Sequence, residues 1–393
     1  MKAISITPNI YWVGGIDWDL RNFHGYLTPL GSTYNSYLIL DEKVTLIDTV
    51  KHYLGEEMLA RISSVISPSK IDYIVANHVE MDHTGSLGRL LQLAPQAKII
   101  TSPMGEKGLR RHFKQDWPFQ VVQSGESLSL GQRSLTFVHV PMVHWPDSMV
   151  TYLPEEEILF SNDAFGQHVA SAERYDDELG WSFLRREAAK YYANIVYPFG
   201  AQVKKALAQV KQLPLKLICP SHGLIWRSFI DRIVAEYSRW ADHEAEEKAV
   251  IIYDTMWGST EKIARSLQSG LEEEGIPVVV RHLKTNHVSD IIPDVLESRL
   301  VLLGSPTFNN SYLPTMGAWL TYLKGLRPQQ RVGLAFGSFG WSGQAVSEME
   351  AVMKAQGWEL PLAGINLKYI PDEEELVQVK EKARELARYL KNK

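Results

Sequence analysis

The stretch Asn77-His-Val-Glu-Met-Asp-His-Thr-Gly85 follows an apolar run and decides how the first half of the chain is interpreted. Within it lie four potential metal ligands, His78, Glu80, Asp82 and His83. In a helix, residues two positions apart point to nearly opposite sides, so these side chains can converge only at a strand end or in a loop. The pattern therefore predicts a metal site where a strand ends.

Three further candidate ligands, His144, Asp163 and His222, each follow an apolar run that is typical of a strand. Any one of them alone is more often a hydrogen-bonded histidine or a capping aspartate. Taken together with the first cluster, they predict strand ends that gather around one site. Five other histidines fit this pattern loosely or not at all and are expected at the surface: His52, His112, His243, His282 and His287.

The candidate set combines four imidazoles with three carboxylates. If Asp163 bridges two metals, each metal receives about four protein bonds and keeps an open position, which indicates catalysis or small-molecule binding rather than a structural site. Mixed imidazole and carboxylate ligation suits redox-active iron, whereas zinc hydrolases favour more histidine. The ligand set therefore favours a two-metal redox site.

Composition narrows the remaining function classes. The chain has 393 residues, 45% of them hydrophobic, which is enough for two or three globular domains. Its net charge is −5 and no block is dense in lysine and arginine, so neither nucleic acid nor a membrane is an expected partner. No signal peptide and no long apolar run is found, so a cytoplasmic location is expected. Cys219 is the only cysteine, which excludes an internal disulfide and a built-in iron–sulfur or rubredoxin-type centre.

A charged stretch at residues 242–248 separates two halves with different patterns. We place the domain boundary there, giving residues 1–247 and 248–393. Short β-branched runs with irregular helices predict a sheet-rich α/β domain before the boundary. After it, strands at 249–253, 277–283, 300–303 and 332–336 alternate with helical patterns, which predicts a doubly wound parallel sheet.

Three loops of the second half follow predicted strands and would meet at the carboxyl edge of that sheet, where such folds bind ligands. The first loop leads into a helix whose N-terminus would bind a phosphate, although Ser259 or Thr260 can equally be a simple helix cap. Trp257 and Trp341 could flank a planar ring. The candidate cofactor residues are Thr255, Met256, Trp257, Gly258, Ser259 and Thr260 in the first loop, Ser305, Pro306, Thr307, Phe308, Asn309 and Asn310 in the second, and Gly337, Ser338, Phe339, Gly340, Trp341, Ser342 and Gly343 in the third.

The order of the metal candidates resembles the metallo-β-lactamase-like superfamily, with Glu80 standing where hydrolytic members carry a second histidine. Similar flanking segments are His144-Trp-Pro-Asp-Ser148, Asn162-Asp-Ala-Phe-Gly166 and Pro220-Ser-His-Gly223. Together with a second half that resembles a flavodoxin, the whole chain is similar to the flavodiiron proteins, or A-type flavoproteins. The resemblance implies an α/β protein: an N-terminal metallo-β-lactamase-like αββα sandwich followed by a flavodoxin-like doubly wound parallel sheet.

The same resemblance implies a non-haem di-iron centre with a bridging hydroxide or oxo group, and FMN with its phosphate on residues 255–260. One iron would take His78, Glu80 and His144, the other would take Asp82, His83 and His222, and Asp163 would bridge. His24 and Tyr191 match family positions near the open face of the irons, where they would supply hydrogen bonds or protons. The alternative is that both side chains only pack and form hydrogen bonds.

The function implied is an oxidoreductase that reduces dioxygen to water, nitric oxide to nitrous oxide, or both. Electrons would come through FMN from an external donor such as rubredoxin or a reduced deazaflavin, and the chain would form a head-to-tail homodimer or a dimer of dimers. Two alternatives stay open: a dinuclear zinc hydrolase with an accessory flavodoxin-like module, and an electron carrier or sensor with a vestigial metal site. Glu80 disfavours the first, and competent residues at all seven ligand positions disfavour the second.

Overall fold

The computed structural model describes residues 1–393 and divides into two compact units. The first unit contains Met1–Tyr192 and Ala201–Ser238, and the second contains Ala193–Gly200 and Arg239–Lys393. The short segment Ala193–Gly200 therefore belongs to the second unit although both of its flanks belong to the first. None of the helices has the length and apolar character that crossing a membrane requires.

The first unit is built from sixteen strands and eight α-helices, most of them short. Its strands are β1 (Ile4–Thr7), β2 (Ile10–Trp12), β3 (Gly15–Asp17), β4 (Asn22–Phe23), β5 (Tyr26–Leu27), β6 (Ser32–Tyr34), β7 (Tyr37–Ile39), β8 (Thr45–Ile47), β9 (Tyr73–Val75), β10 (Lys98–Thr101), β11 (Phe119–Val121), β12 (Ser127–Ser129), β13 (Ser134–His139), β14 (Met149–Leu153), β15 (Ile158–Asn162) and β16 (Leu217–Pro220). Its helices are α1 (Gly55–Ser63), α2 (Met81–Thr84), α3 (Leu87–Leu93), α4 (Pro103–Phe113), α5 (Asp176–Leu179), α6 (Trp181–Tyr191), α7 (Gly200–Val210) and α8 (Ile230–Ala241).

Two sheets form the centre of this unit, and the predicted sandwich is confirmed. One sheet has seven strands in the order β1-β2-β7-β8-β9-β10-β11, and the other has five in the order β12-β13-β14-β15-β16. Buried side chains of both sheets meet in one core, for example Ile39 and Ile47 with Phe137 and Phe160. Removing this apolar surface from water stabilises the sandwich by about 25 cal/mol per Å².

The second unit is an all-parallel sheet of β17 (Glu246–Tyr253), β18 (Val278–His282), β19 (Ser298–Gly304), β20 (Val332–Phe339) and β21 (Ile365–Lys368). The strand order β18-β17-β19-β20-β21 is that of a flavodoxin-like doubly wound fold, as predicted. One face packs on Leu267 and Leu386. The helices are α9 (Ser259–Glu273), α10 (Val288–Glu297), α11 (Pro314–Leu326), α12 (Gln344–Ala355) and α13 (Glu373–Lys391).

Two features of the second unit differ from the sequence interpretation. Strand β17 begins at Glu246, inside the stretch interpreted as a linker, and Glu246 pairs with Ser298 of β19. The first residues of the strand are exposed, which explains why they are charged. Helix α10 and strand β21 were not identified from the sequence; α10 contains Pro293, and β21 has no continuous apolar run.

The buried guanidinium of Arg331 ties the segment Ala193–Gly200 to the rest of the second unit. Arg331 donates hydrogen bonds to the carbonyl oxygens of Val295, Leu296 and His243, and its Nη2 donates to the Tyr197 hydroxyl at 2.7 Å. The surface position predicted for His243 is wrong, since this residue is only 8% exposed. The ring of Tyr197, with its centroid 5.3 Å away, packs beside it.

Candidate metal centre and cofactor pocket

The topology of the two sheets explains why the seven candidate ligands meet. Strand β9 runs parallel to β8 and β10, and the chain leaves it directly into the first cluster. Glu80 is the N-cap of the one-turn helix α2, so Asp82 and His83 lie within that turn. In the second sheet β15 and β16 are parallel, so the residues that follow them, Asp163 and His222, lie at the same edge.

The ligand atoms form two groups, as the family resemblance implied. One group is His78, Glu80, His144 and Asp163, and the other is Asp82, His83 and His222; within each group the atoms lie within 4.8 Å of one another.

Asp163 belongs to both groups by distance. Its Oδ2 lies 3.3 Å from His144 Nε2, whereas its Oδ1 lies 3.0 Å from His83 Nε2 and 3.4 Å from His222 Nε2. This is the arrangement expected of a carboxylate that bridges two cations.

Unpartnered buried atoms show that these residues fit a pair of metal ions. His78 Nε2, both carboxylate oxygens of Asp82, His83 Nε2 and Asp163 Oδ2 are buried without a hydrogen-bond partner. A buried polar atom left unpaired costs about 1–3 kcal/mol, and more when it is charged. Since all of these atoms belong to the two ligand groups, bound cations would satisfy them together.

The electrostatics of the cluster also favour positive charge. Burial lowers the pKa of His144 and His222, but the neighbouring carboxylates outweigh it: Asp163 and Glu80 raise the pKa of His144 to about 9, and Asp163 and Asp82 raise that of His222 to about 10. Burial acts to raise the pKa of Glu80, yet the adjacent imidazoles of His144 and His78 hold it well below its usual range. Metal ions would take the place of the protons that these groups otherwise share.

Hydrogen bonds behind the ligands fix the orientation of two imidazole rings. Asp147 accepts from His78 Nδ1 at 2.8 Å and from the Val79 amide at 2.8 Å. His222 Nδ1 lies 2.9 Å from the carbonyl oxygen of Thr33. Both rings therefore direct Nε2 into the cluster, which is how outer-shell partners orient metal-ligating histidines.

A buried carboxylate, Asp48, joins two of the ligand-bearing loops. It accepts hydrogen bonds from the Asn77 amide at 2.8 Å and from Asn162 Nδ2 at 3.2 Å, and these residues directly precede His78 and Asp163. The loop positions are therefore coupled through one side chain.

Tyr191 and His24, which the family resemblance placed near the open face of the irons, also lie at the cluster. Tyr191 is buried and its hydroxyl is 3.2 Å from Asp163 Oδ1. His24 occupies the tip of the β4–β5 hairpin, where its Nε2 lies 3.4 Å from Glu80 Oε1 and its side chain is 74% exposed. One of these groups is therefore enclosed and the other is open to solvent.

Sequence reasoning missed two further side chains near the cluster. His168 is buried with its ring centroid 4.8 Å from that of His222 and its Nδ1 2.8 Å from Ser32 Oγ. Burial lowers the pKa of Lys51, whereas Asp82 and Glu80 act to raise it, so Lys51 lies near enough to the cluster for its charge to interact with those carboxylates. Lys51 comes soon after the carboxyl end of β8, a signal that could have found it, and His168 follows the Asn162–Gly166 segment that carries Asp163.

The three predicted loops of the second unit surround a pocket of about 820 Å³ at the carboxyl ends of its strands. This volume is within the range of cofactor sites. Two lining residues, Tyr369 and Ile370, were not predicted; they follow β21, whose own carboxyl end was the missing signal. The predicted residues that line it are Thr255, Met256, Trp257, Ser259, Pro306, Thr307, Asn309, Asn310, Ser338, Phe339, Gly340, Trp341 and Ser342.

The remaining predicted residues, Gly258, Thr260, Ser305, Phe308, Gly337 and Gly343, do not line the pocket. Some of them support it from behind. Thr260 Oγ1 lies 3.1 Å from Ser338 Oγ, and Ser305 Oγ accepts a hydrogen bond from the Leu313 amide. Gly337 passes so close to Ser305 that a Cβ there would be 2.2 Å from its carbonyl oxygen.

The first loop leads to a helix N-terminus, which is a favourable position for an anion. It leads through Gly258, in the left-handed region with φ 88°, into the fifteen-residue helix α9, whose first residue Ser259 lines the pocket. Helix N-termini bind phosphate through free amides and the helix dipole. Behind the loop, the buried Asp254 accepts from the Thr255 amide, and Lys284 Nζ donates to the Thr255 carbonyl at 2.8 Å.

Comparison with known proteins matches both units. Residues 33–223 match the family described as ODP family beta lactamase, and residues 251–384 match the flavodoxin family. A protein of Moorella thermoacetica named nitric oxide reductase is 45% identical over 392 residues, with 98% of each chain covered.

Two solved structures align over nearly the whole chain. The rubredoxin oxygen:oxidoreductase of Desulfovibrio gigas has a TM-score of 0.97 at 43% identity, covering 100% of this chain and 99% of its own. The flavodiiron protein of Giardia intestinalis has a TM-score of 0.96 at 35% identity, covering 99% and 97%. Fold and site thus define a metallo-β-lactamase-like unit joined to a flavodoxin-like unit. The chain belongs to the flavodiiron proteins.

Proposed function

We propose that this protein is an oxidoreductase that reduces dioxygen to water, nitric oxide to nitrous oxide, or both, with electrons relayed through FMN from an external donor. Its cofactors are FMN and two non-haem irons. The observation that carries the proposal is the pair of ligand groups joined by Asp163, with their buried polar atoms left unpartnered. The zinc-hydrolase alternative finds no support, because the full-length relatives are named as a reductase and an oxidoreductase.

In this proposal the ligands divide as the two groups do. His78, Glu80 and His144 would hold one iron, Asp82, His83 and His222 would hold the other, and Asp163 would contribute to both. When bound, FMN supplies electrons taken from the donor, and the irons supply the open positions at which the gas is reduced.

We propose that two residues of the chain hold and transfer the protons for the reaction. Burial and the charge of Asp163 raise the pKa of Tyr191 well above its usual value, so the phenol keeps its proton at Oη beside that carboxylate. The exposure of His24, and the 3.4 Å between its Nε2 and Glu80 Oε1, support a role in passing protons between solvent and the site. We therefore propose Tyr191 as the enclosed hydrogen-bond donor and His24 as the entry point for protons.

The pocket of the second unit is the proposed FMN site. Residues 255–260 would hold the phosphate, and the loops at 305–310 and 337–343 would surround the ring system. We propose residues 1–247 as the di-iron domain and 248–393 as the FMN domain, with Ala193–Gly200 and residues 239–247 grouped with the second unit by their contacts. A head-to-tail homodimer or a dimer of dimers, and a location in the cytoplasm, also stay proposals.

The proposed electron donor is rubredoxin or a reduced deazaflavin. Rubredoxin is supported by the name of the D. gigas relative. A donor protein would be recognised by its reduction of FMN in the full chain.

The decisive experiment is anaerobic stopped-flow mixing of the reduced protein with each gas, with iron and FMN quantified on the same sample. We expect two irons and one FMN per chain, and reoxidation of both centres by at least one gas. Zinc in place of iron, together with ester or lactone hydrolysis, would contradict the proposal.

A further inference from the structure

A small cavity lies in the first unit, between the second sheet and helices α7 and α8. Its volume is about 20 Å³. Strands β14 and β15 contribute three wall residues, α7 contributes four, and α8 and two loops supply the rest. The lining residues are Val140, Val143, Val150, Leu159, Ser161, Ala164, Phe165, Val203, Ala206, Leu207, Val210 and Tyr237.

The wall of this cavity offers almost nothing to a water molecule. Its polar side chains are those of Ser161 and Tyr237, and both already form hydrogen bonds: Ser161 Oγ donates to the Ala164 carbonyl at 2.7 Å, and the Tyr237 hydroxyl accepts from the Phe165 amide at 2.8 Å. A buried water needs two to four polar partners, whereas apolar cavities stay dry and take up apolar atoms. The lining therefore selects an apolar occupant.

The cavity adjoins the chain segments that carry two metal ligands. Val143 directly precedes His144, Ala164 directly follows Asp163, and Ser161 lies two positions before Asp163. Two lining residues, Ala164 and Ala206, are only half-buried, so this side of the wall approaches solvent. An occupant would thus lie between the surface and the backbone of the cluster.

We propose that the cavity is a holding site for one molecule of a small apolar gas, the chemical class of dioxygen and nitric oxide. About 10–15 Å³ is enough for one water, so a volume of this size accepts one diatomic molecule. The proposal rests on the proposed function in one respect, namely that such a gas is the substrate. The competing interpretation is a plain packing void, of which protein interiors contain a few.

Krypton, an apolar atom near dioxygen in size, is the probe. Crystals of the oxidised holoprotein, which cannot turn over without a donor, are pressurised with krypton and its occupancy is measured. The test variant is Ala206→Leu, which fills the cavity, and the matched control is Ala208→Leu, an exposed alanine on the same helix that does not line it. We expect krypton in the wild type and in A208L, and loss of krypton from A206L because the leucine side chain takes up the space that the atom would occupy.

Steady-state kinetics test whether the cavity supplies gas to the reaction. In A206L we expect the KM for dioxygen to rise about threefold with kcat unchanged, since gas binding is weakened and the chemistry is untouched. FMN content, iron content and the melting temperature show that the variant is folded; if it is not, Val203→Ile fills the same space more gently.

Each outcome decides a different point. Absence of krypton from the wild type, or equal occupancy in A206L, identifies a packing void and overturns the proposal. Krypton binding with an unchanged KM in A206L overturns the holding role. Krypton binding in a protein that reduces neither gas overturns the proposed function while leaving an apolar gas site in place.

Discussion

The candidate metal cluster and the candidate cofactor pocket differ in how far their side chains are exposed to solvent. The cluster is enclosed: His78, Asp82 and Asp163 are at most 2% exposed, and several of their polar atoms lack protein partners. The pocket is open: the side chains at its rim include Trp257 and Trp341, which are 91% and 89% exposed. Metal ions in the cluster would be held by a few buried atoms, whereas FMN in the pocket would be held by many side chains near the surface. Single substitutions should therefore be severe in the first and mild in the second.

The largest effect of a single substitution is expected for Asp163→Asn in the cluster. The substitution removes the negative charge shared by both ligand groups, so we expect turnover with either gas to fall by at least about 100-fold, more than an outer-shell change would cause. Iron content should fall, while FMN content and FMN reduction by the donor stay as in the wild type. The matched control is Asp116→Asn, whose carboxylate is 98% exposed. Full turnover in the Asp163 variant would exclude the di-iron mechanism.

Asp147→Ala tests whether the metal affinity of the cluster depends on the hydrogen bonds that Asp147 accepts. It removes the acceptor that holds His78 Nδ1 and the Val79 amide. Outer-shell substitutions of this kind lower metal affinity about 10–100-fold, so competition with a chelator should show loss of iron in that range. Asp177→Ala, at a partly exposed carboxylate of the same unit, should bind iron like the wild type. Equal affinities in both variants would show that Asp147 does not position His78.

In the open pocket, Trp341→Ala should have a smaller effect. An aromatic contact contributes about 0.5–1.5 kcal/mol beyond its buried area, which corresponds to an increase of about 2–10-fold in the Kd of FMN. Flavin fluorescence titration of the FMN-depleted protein measures it, with Trp18→Ala in the first unit as control. An increase of several hundredfold would mean that the pocket depends on one residue, as the cluster does.

The smallest effect is expected from Tyr369→Ala, at a lining residue that the sequence did not reveal. Its ring is smaller than an indole, so we expect the Kd of FMN to rise about twofold. Tyr369→Phe keeps the ring and should bind FMN as tightly as the wild type. If the phenylalanine variant is also weakened, the hydroxyl rather than the ring contacts the flavin.

The contrast also explains what could be predicted from the sequence. The meeting of the seven candidate ligands was predictable because few residue types bind metal and because the carboxyl ends of parallel strands meet at one edge. His168 was not predicted, since no strand pattern comes directly before it. Lys51 was not predicted because a lysine is not an expected metal ligand, although it follows the carboxyl end of β8.

For the cofactor pocket, the sequence placed the loops but not the direction of every residue within them. Thr260 and Ser305 are buried and form hydrogen bonds within the protein. Thr260 is the second residue of α9 and faces inward, whereas Ser305 lies in a loop, where side-chain direction follows no fixed period. Tyr369 was missed because β21 is only four residues long and has a single fully buried position.

Because of the segment Ala193–Gly200, the second unit is formed by two separate stretches of the sequence. The chain enters the second unit at residue 193, leaves it at 201 and returns at 239, so no single cut separates the two units. A fragment that starts at Lys248 would lack Tyr197 and His243, and Arg331 would lose two of its acceptors. At about 1–3 kcal/mol for each unsatisfied buried donor, such a fragment should be far easier to unfold. A fusion of the flavodoxin-like unit to a different domain would therefore need to include this eight-residue segment as well.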